Sequence, residues 1–145
     1  MPKETEAEFI ENFIVVWDSK KGSNLFKHGF YGKPLGIPKP KSSEFDVPLV
    51  LDLMEGLYLA EKGLIHVVEG LEKTKVNLRT LRSRAQKTFD SFDAMYTVYR
   101  DLRDKKLVVT PGVKYGSDFA VYKQGPGIDH APYMVSVKSQ KDIIT

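Results

Sequence analysis

The sequence predicts an α+β protein of two small lobes, and three observations carry that prediction. Strand and helix patterns come first, then more helices, then short strands, without the regular alternation of a parallel βαβ array. Hydrophobic residues make up 41% of the 145 residues and charged residues 28%, a globular composition that excludes a disordered tail or low-complexity linker. No apolar run approaches the roughly 18–20 residues of a membrane-spanning helix, the longest clean stretch lying near Val47–Leu51. The expected division is an N-terminal α/β lobe over 1–92 and a C-terminal lobe, a mixed sheet with flanking helices, over 93–145.

Phe9–Trp17 is aromatic and β-branched and reads as a strand. Asp18 to Gly22 is turn chemistry, after which Ser23 starts a short helix through Phe30. Gly32–Ser43 holds three prolines, two glycines and three lysines, so it is expected as an exposed, semi-rigid basic loop, either a spacer or an RNA contact. Asp46 precedes Val47–Lys62, whose apolar Val50, Leu53, Met54 and Leu57 follow helical spacing, with Gly63 at the C-terminal cap. Leu64–Val68 is a short strand. Asn77 caps a basic helix to about Ser91, and Asp93 caps another to about Lys105 with Met95, Val98, Tyr99 and Leu102 as its apolar stripe. Strands then follow at Leu107–Thr110, Val113–Tyr115, Asp118–Lys123 and Tyr133–Lys138, separated by a Pro111-Gly112 turn and a tight Gly125-Pro126-Gly127 loop.

The absence of cysteine excludes disulfides, thiolate zinc sites and a thiol nucleophile. The start Met1-Pro2-Lys3-Glu4 lacks the pattern of a secretory signal, and a cytoplasmic, non-membrane protein is the expectation. Only three Asn and three Gln occur, a weak pointer to a hot-growing source. The formal charge of +3 is uneven. Residues 1–46 balance, 47–70 carry −3, 71–110 carry +5 and 111–145 carry +1. Arg79, Arg82, Arg84 and Lys87 lie close together in the basic stretch, which suits either a phosphate backbone or a solvated helix face.

No dinucleotide-binding glycine motif, P-loop, His-Glu-x-x-His or Gly-x-Ser-x-Gly is present. The three histidines are far apart, so none shares a helical metal-ligand spacing with another. His66 falls in an apolar strand pattern and reads as packed; His28 reads as a surface or helix-end residue. His130 follows the Gly-Pro-Gly loop, and Tyr122 closes the strand before it. A hairpin-like return between them would bring the two side chains near each other. Histidine titrates near neutrality, whereas tyrosine needs a lowered pKa to act as a base. On residues alone, a structural His beside a core Tyr is the favoured reading of the pair.

Three blocks in order carry a resemblance: Tyr99-Arg100-Asp101-Leu102-Arg103, then Val113-Lys114-Tyr115-Gly116-Ser117-Asp118-Phe119-Ala120-Val121-Tyr122, then Gly125-Pro126-Gly127-Ile128-Asp129-His130-Ala131. Together they closely resemble the archaeal tRNA-splicing endonuclease family. Phe30-Tyr31-Gly32 and Leu53-Met54-Glu55-Gly56-Leu57-Tyr58-Leu59 extend it more loosely into the N-terminal lobe. The Pro/Lys segment at 33–43 looks like an insertion, and some crenarchaeal catalytic subunits carry a loop hereabouts implicated in RNA recognition.

The resemblance implies a C-terminal catalytic lobe of that family, acting without metal or cofactor on precursor tRNA at bulge–helix–bulge sites. Tyr122 matches the general base on the 2′-hydroxyl, and His130 matches the general acid that protonates the departing 5′-oxygen. Tyr115 matches a structural position. The products are a 2′,3′-cyclic phosphate and a 5′-hydroxyl. The sequence departs from the pattern in one respect. The family's third catalytic residue, a lysine in a Ser-Val-Arg-Lys-like motif, lies beyond Thr145, and Lys138 and Lys141 follow the histidine too closely to be it. The expectation is therefore a longer catalytic chain, working with a structural partner subunit in a heterotetramer or by self-association. A non-catalytic structural subunit and a plain RNA-binding module are the alternatives.

Overall fold

The computed structural model describes residues 5–38, 40–112, 118–126, 128–129 and 132–138. They fall into two compact units, Met1–Phe89 and Asp90–Thr145. No helix among the described residues is long and apolar enough to cross a membrane. Val113–Tyr115, expected as a strand, lies outside the described residues.

The first unit is a six-stranded mixed sheet built from β1 (Thr5–Ile10), β2 (Phe13–Val16), β3 (Lys33–Pro34), β4 (Leu49–Asp52), β5 (Ile65–Glu69) and β6 (Thr74–Val76). Its spatial order is β3-β4-β2-β1-β5-β6, antiparallel except for the parallel β1–β5 pair. Alternation sorts the two faces. Ile14 and Val16, Leu49 and Leu51, and Ile65 and Val67 are each at most 2% exposed. The helices α1 (Ser19–Gly29), α2 (Leu53–Glu61) and α3 (Leu78–Thr88) complete the unit. Gly56 brings α2 against the sheet, since a Cβ there would collide with the Ile14 side chain.

Several boundaries differ from the sequence expectation, each for a physical reason. Phe9–Trp17 is a hairpin rather than one strand: Phe9 faces Ile14 and Ile10 faces Phe13, with Glu11 turning the chain at φ 57°. An aromatic and β-branched run suits either strand, so composition concealed the reversal. Asp18 begins α1, its carboxylate accepting the N–H of Lys20 at 3.0 Å and of Lys21 at 3.1 Å, so the expected turn is the helix's first turn. Val47–Lys62 divides into a strand and a helix. Val50 joins β4, where it pairs with Val15 and Lys33, because sheet pairing overrides its helical spacing. The start of α2 is an Asp52–Glu55 capping box. The second residue of β3 is a proline, tolerated because β3 is an edge strand.

Glu55 does more than cap. One carboxylate oxygen accepts the Asp52 N–H at 3.1 Å and the other accepts the Gly32 N–H at 2.7 Å. Gly32 has φ +70°, and a Cβ there would lie 2.6 Å from the Val50 carbonyl oxygen. One side chain thus joins the loop after α1 to the start of α2.

The second unit consists of α4 (Phe92–Asp104) and a three-stranded antiparallel sheet, β7 (Val108–Pro111), β8 (Phe119–Tyr122) and β9 (Tyr133–Val135), with β8 in the middle. The buried side of α4 is Phe92, Tyr96, Tyr99 and Arg103 rather than the expected Met95, Val98, Tyr99 and Leu102. The aromatic residues prevail because their rings pack in series, the first two pairs stacked and the third tilted. Phe92–Tyr96, Tyr96–Tyr99 and Tyr99–Phe119 ring centroids are 5.2, 6.4 and 5.9 Å apart. Ser91, at φ 55°, is the N-cap, and Asp93 lies in the first turn, where a negative charge suits the helix dipole. Pro111 is paired with Phe119 at the end of β7 rather than forming a turn.

Replacing Glu55 by Ala leaves two partly buried N–H groups without their carboxylate, so stability should fall by about 1–3 kcal/mol. Urea unfolding followed by Trp17, the only tryptophan, reports on the first unit. A midpoint equal to that of the parent protein would contradict the bridging role.

Candidate active site

Tyr122 is the last residue of β8, the middle strand of the second unit, opposite Val108 on β7. All four β8 residues are buried, and Tyr122 is 9% exposed. Arg103 secures the strand beside it. The residue is 4% exposed, its guanidinium donating to the Tyr99 hydroxyl at 3.2 Å, the Val109 carbonyl at 3.1 Å and, more weakly, the Leu107 carbonyl at 3.5 Å. A buried cation is tolerated where its donors find acceptors, and here those acceptors are a hydroxyl within α4, the carbonyl just before β7 and one within it.

Beyond Tyr122, the described residues before β9 are tied to one another. Val121 pairs with Tyr133, so pairing is restored immediately on the far side. Within the loop, one Asp129 carboxylate oxygen accepts the Gln124 N–H at 2.9 Å and the Gly125 N–H at 3.3 Å. The Gly125 carbonyl in turn accepts the N–H groups of Ile128 and Asp129, both at 3.1 Å. Gly125 sits at φ 152°, which glycine adopts without cost. These contacts hold the Asp129 carboxyl below its usual range. The Gln124 N–H contributes most, the Gly125 and Lys123 N–H groups and the Lys123 charge add to it, and burial opposes.

His130, Lys114, Tyr115, Gly127 and Lys141 lie outside the described residues, so of the expected catalytic pair the structure places Tyr122 alone. Lys138 is exposed beyond β9. His28 is at the end of α1, its Nδ1 2.7 Å from the Asn24 carbonyl oxygen. His66 is not packed as expected: its side chain is 37% exposed, with Nε2 3.8 Å from a Glu6 carboxylate oxygen. Strand alternation turns it away from the helices that bury Ile65 and Val67.

The basic stretch is partly internal. Arg84 forms a two-pronged pair with Glu69, at 2.7 and 3.0 Å, and lies over the Phe9 ring. The hydrogen bond from Arg84, reinforced by its charge, lowers the Glu69 pKa, while Glu69 raises that of Arg84. Arg82 lies 3.7 Å from Glu61. Arg79 and Lys87 are exposed. An open cleft of about 650 Å³ between α1 and the 43–46 segment is lined by Lys20 and Lys27 but also by Glu44 and Asp46, a balanced set that favours no one charge.

Two residues of the site were not recognised in the sequence. Arg103 was covered by the resemblance without a role, because a lone Arg at a helix end ordinarily reads as surface. Asp129 carried a usable signal: an aspartate in a glycine-rich loop commonly bonds backbone N–H groups nearby.

Comparison with known proteins gives a consistent result. The family model described as tRNA intron endonuclease, N-terminal domain, matches residues 5–81, and the model for the catalytic C-terminal domain matches residues 92–145. A tRNA-splicing endonuclease of Hyperthermus butylicus is 51% identical over 123 residues, covering 85% of this chain and 67% of that protein. One from Sulfolobus acidocaldarius is 42% identical over 131 residues, covering 90% of this chain and 71% of the relative. A third, from Saccharolobus islandicus, is 48% identical with the same coverage.

A carboxyl with a depressed folded-state pKa contributes stability above its unfolded value and loses it as pH falls through the folded value. Asp129 should therefore titrate below its ordinary 3.8. Carboxyl-carbon NMR tests this directly, and a midpoint at or above 3.8 would contradict the loop geometry. Asp129→Asn should remove that part of the acid dependence.

Proposed function

The chain belongs to the tRNA intron endonuclease family, and from that premise we propose that it cleaves precursor tRNA at bulge–helix–bulge sites by attack of a ribose 2′-hydroxyl on the adjacent phosphorus. The observation that carries the reading is the position of Tyr122, at the end of the buried middle strand and at the entrance to a closed loop that leads in sequence to His130. Tyr122 removes the proton from the 2′-hydroxyl. The new O–P bond forms as the P–O5′ bond breaks, and His130 gives its proton to the departing 5′-oxygen. Atoms balance as a 2′,3′-cyclic phosphate on one fragment and a 5′-hydroxyl on the other.

This chemistry places few demands on the protein. The nucleophile is already tethered one bond system away from its target, which substitutes for much of the entropy a bimolecular attack would cost. The remaining requirements are two positioned proton carriers, in-line geometry and stabilisation of charge on the phosphorane. The N-terminal unit serves as scaffold and RNA-facing surface, with the exposed Arg79 and Lys87 available to phosphates. The enzyme works as an assembly with a structural subunit or with copies of itself. Tyr133 and Met134 support this, being 61% and 44% exposed on β9, which is at the edge of its sheet among the described residues.

Tyr122→Phe and His130→Ala should each slow cleavage by about 10²–10⁴-fold, while RNA binding stays intact. The assay is single-turnover cleavage of a bulge–helix–bulge RNA with chelator present, with partner subunits supplied where needed. Cleavage by His130→Ala at the parent rate would reject the assignment. Salt-sensitive binding without any product would favour an RNA-binding module instead.

A further inference from the structure

The two proposed catalytic residues are eight positions apart, and the described part of the loop between them is closed by its own side chain. Asp129, the residue before His130, reaches back to the N–H groups of Gln124 and Gly125, the second and third residues after Tyr122. Gly125 returns two bonds through its carbonyl, to Ile128 and Asp129. The stem is fixed as well, by Val121 facing Tyr133 and by Tyr122 facing Val108. One carboxylate therefore joins the end of the strand bearing the base to the residue adjoining the acid.

We propose that Asp129 is a positioning residue for RNA cleavage, setting the relation between Tyr122 and the histidine that follows it in the chain. The proposal rests on the catalytic roles given above. The base and the acid serve opposite ends of one in-line displacement, so their separation matters more than either side chain's local environment. A carboxylate suits the task because one oxygen satisfies two N–H donors at once. Those same donors favour its ionised form, so the latch persists at neutral pH. Ile128 is 57% exposed, so its side chain does not anchor the loop in the core and the polar bonds carry that task.

The test compares the parent protein, His130→Ala, Asp129→Ala and Asp129→Asn for single-turnover cleavage and for RNA affinity. A misplacement of about 1 Å costs on the order of 10²-fold in rate, so Asp129→Ala should lose about that much with affinity nearly unchanged. Asn keeps an acceptor oxygen, and Asp129→Asn should recover most of the lost rate. Cleavage by Asp129→Ala at the parent rate would overturn the proposal while leaving His130 in place. So would equal loss in both Asp129 variants, or a fall in affinity that accounts for the lost rate. Cleavage that does not depend on His130, or no cleavage by the parent protein, would remove the catalytic assignment and this inference with it.

Discussion

Arg103 carries a permanent positive charge into the second unit with 4% of its surface exposed, and the geometry around Tyr122 depends on how that charge is accommodated. Its donors bind the Tyr99 hydroxyl within α4, the Leu107 carbonyl just before β7 and the Val109 carbonyl within it. Hydrogen bonds to a charged group contribute about 1.5–3 kcal/mol each. The helix end and the strand start are thereby fixed to each other. β7 then sets the register of β8 from Val108–Tyr122 to Pro111–Phe119, and β8 sets that of β9. The catalytic candidate is positioned through a series of backbone pairings that begins at one guanidinium.

In both units, charged side chains organise the backbone. In the first, five described residues do so. Glu55 joins two segments through their N–H groups, Asp18 and Asp52 cap helices, and Glu69 holds Arg84 over Phe9. A Lys/Arg count therefore overstates the cationic surface offered to a polyanion. In the second unit, Arg103 fixes the sheet from the helix side and Asp129 closes the loop beyond the strand. Between them lies Tyr122, at the end of a strand whose four residues are all buried.

Much of this was legible in the sequence. Asn77 capping α3 and the Gly63 turn after α2 follow from local chemistry that tertiary structure left alone. The motif blocks identified the family, since their order over the C-terminal lobe is far more specific than any single residue. The errors arose where tertiary contacts overrode local pattern. Val50 has helical spacing yet joins a sheet, and Phe9–Trp17 is uniformly strand-forming yet reverses at Glu11. The α4 stripe shifted because Tyr96 and a buried arginine displaced Met95 and Val98 from the interior. Arg103 could not be weighed from sequence alone, because it acts through strand carbonyls that only the fold brings within reach, whereas the partners of Asp129 lie four and five residues away and were legible as loop chemistry.

The claim that the substrate supplies its own nucleophile is tested most directly by one substitution in the RNA. A bulge–helix–bulge substrate carrying a 2′-deoxyribose immediately before the scissile phosphate retains its shape and its other phosphates. The account predicts that it binds normally and is not cleaved at that site, while the unmodified site of the same molecule is. Cleavage of the deoxy site at the normal rate would show that water or a protein group attacks the phosphorus, and would contradict the mechanism built on Tyr122 and His130.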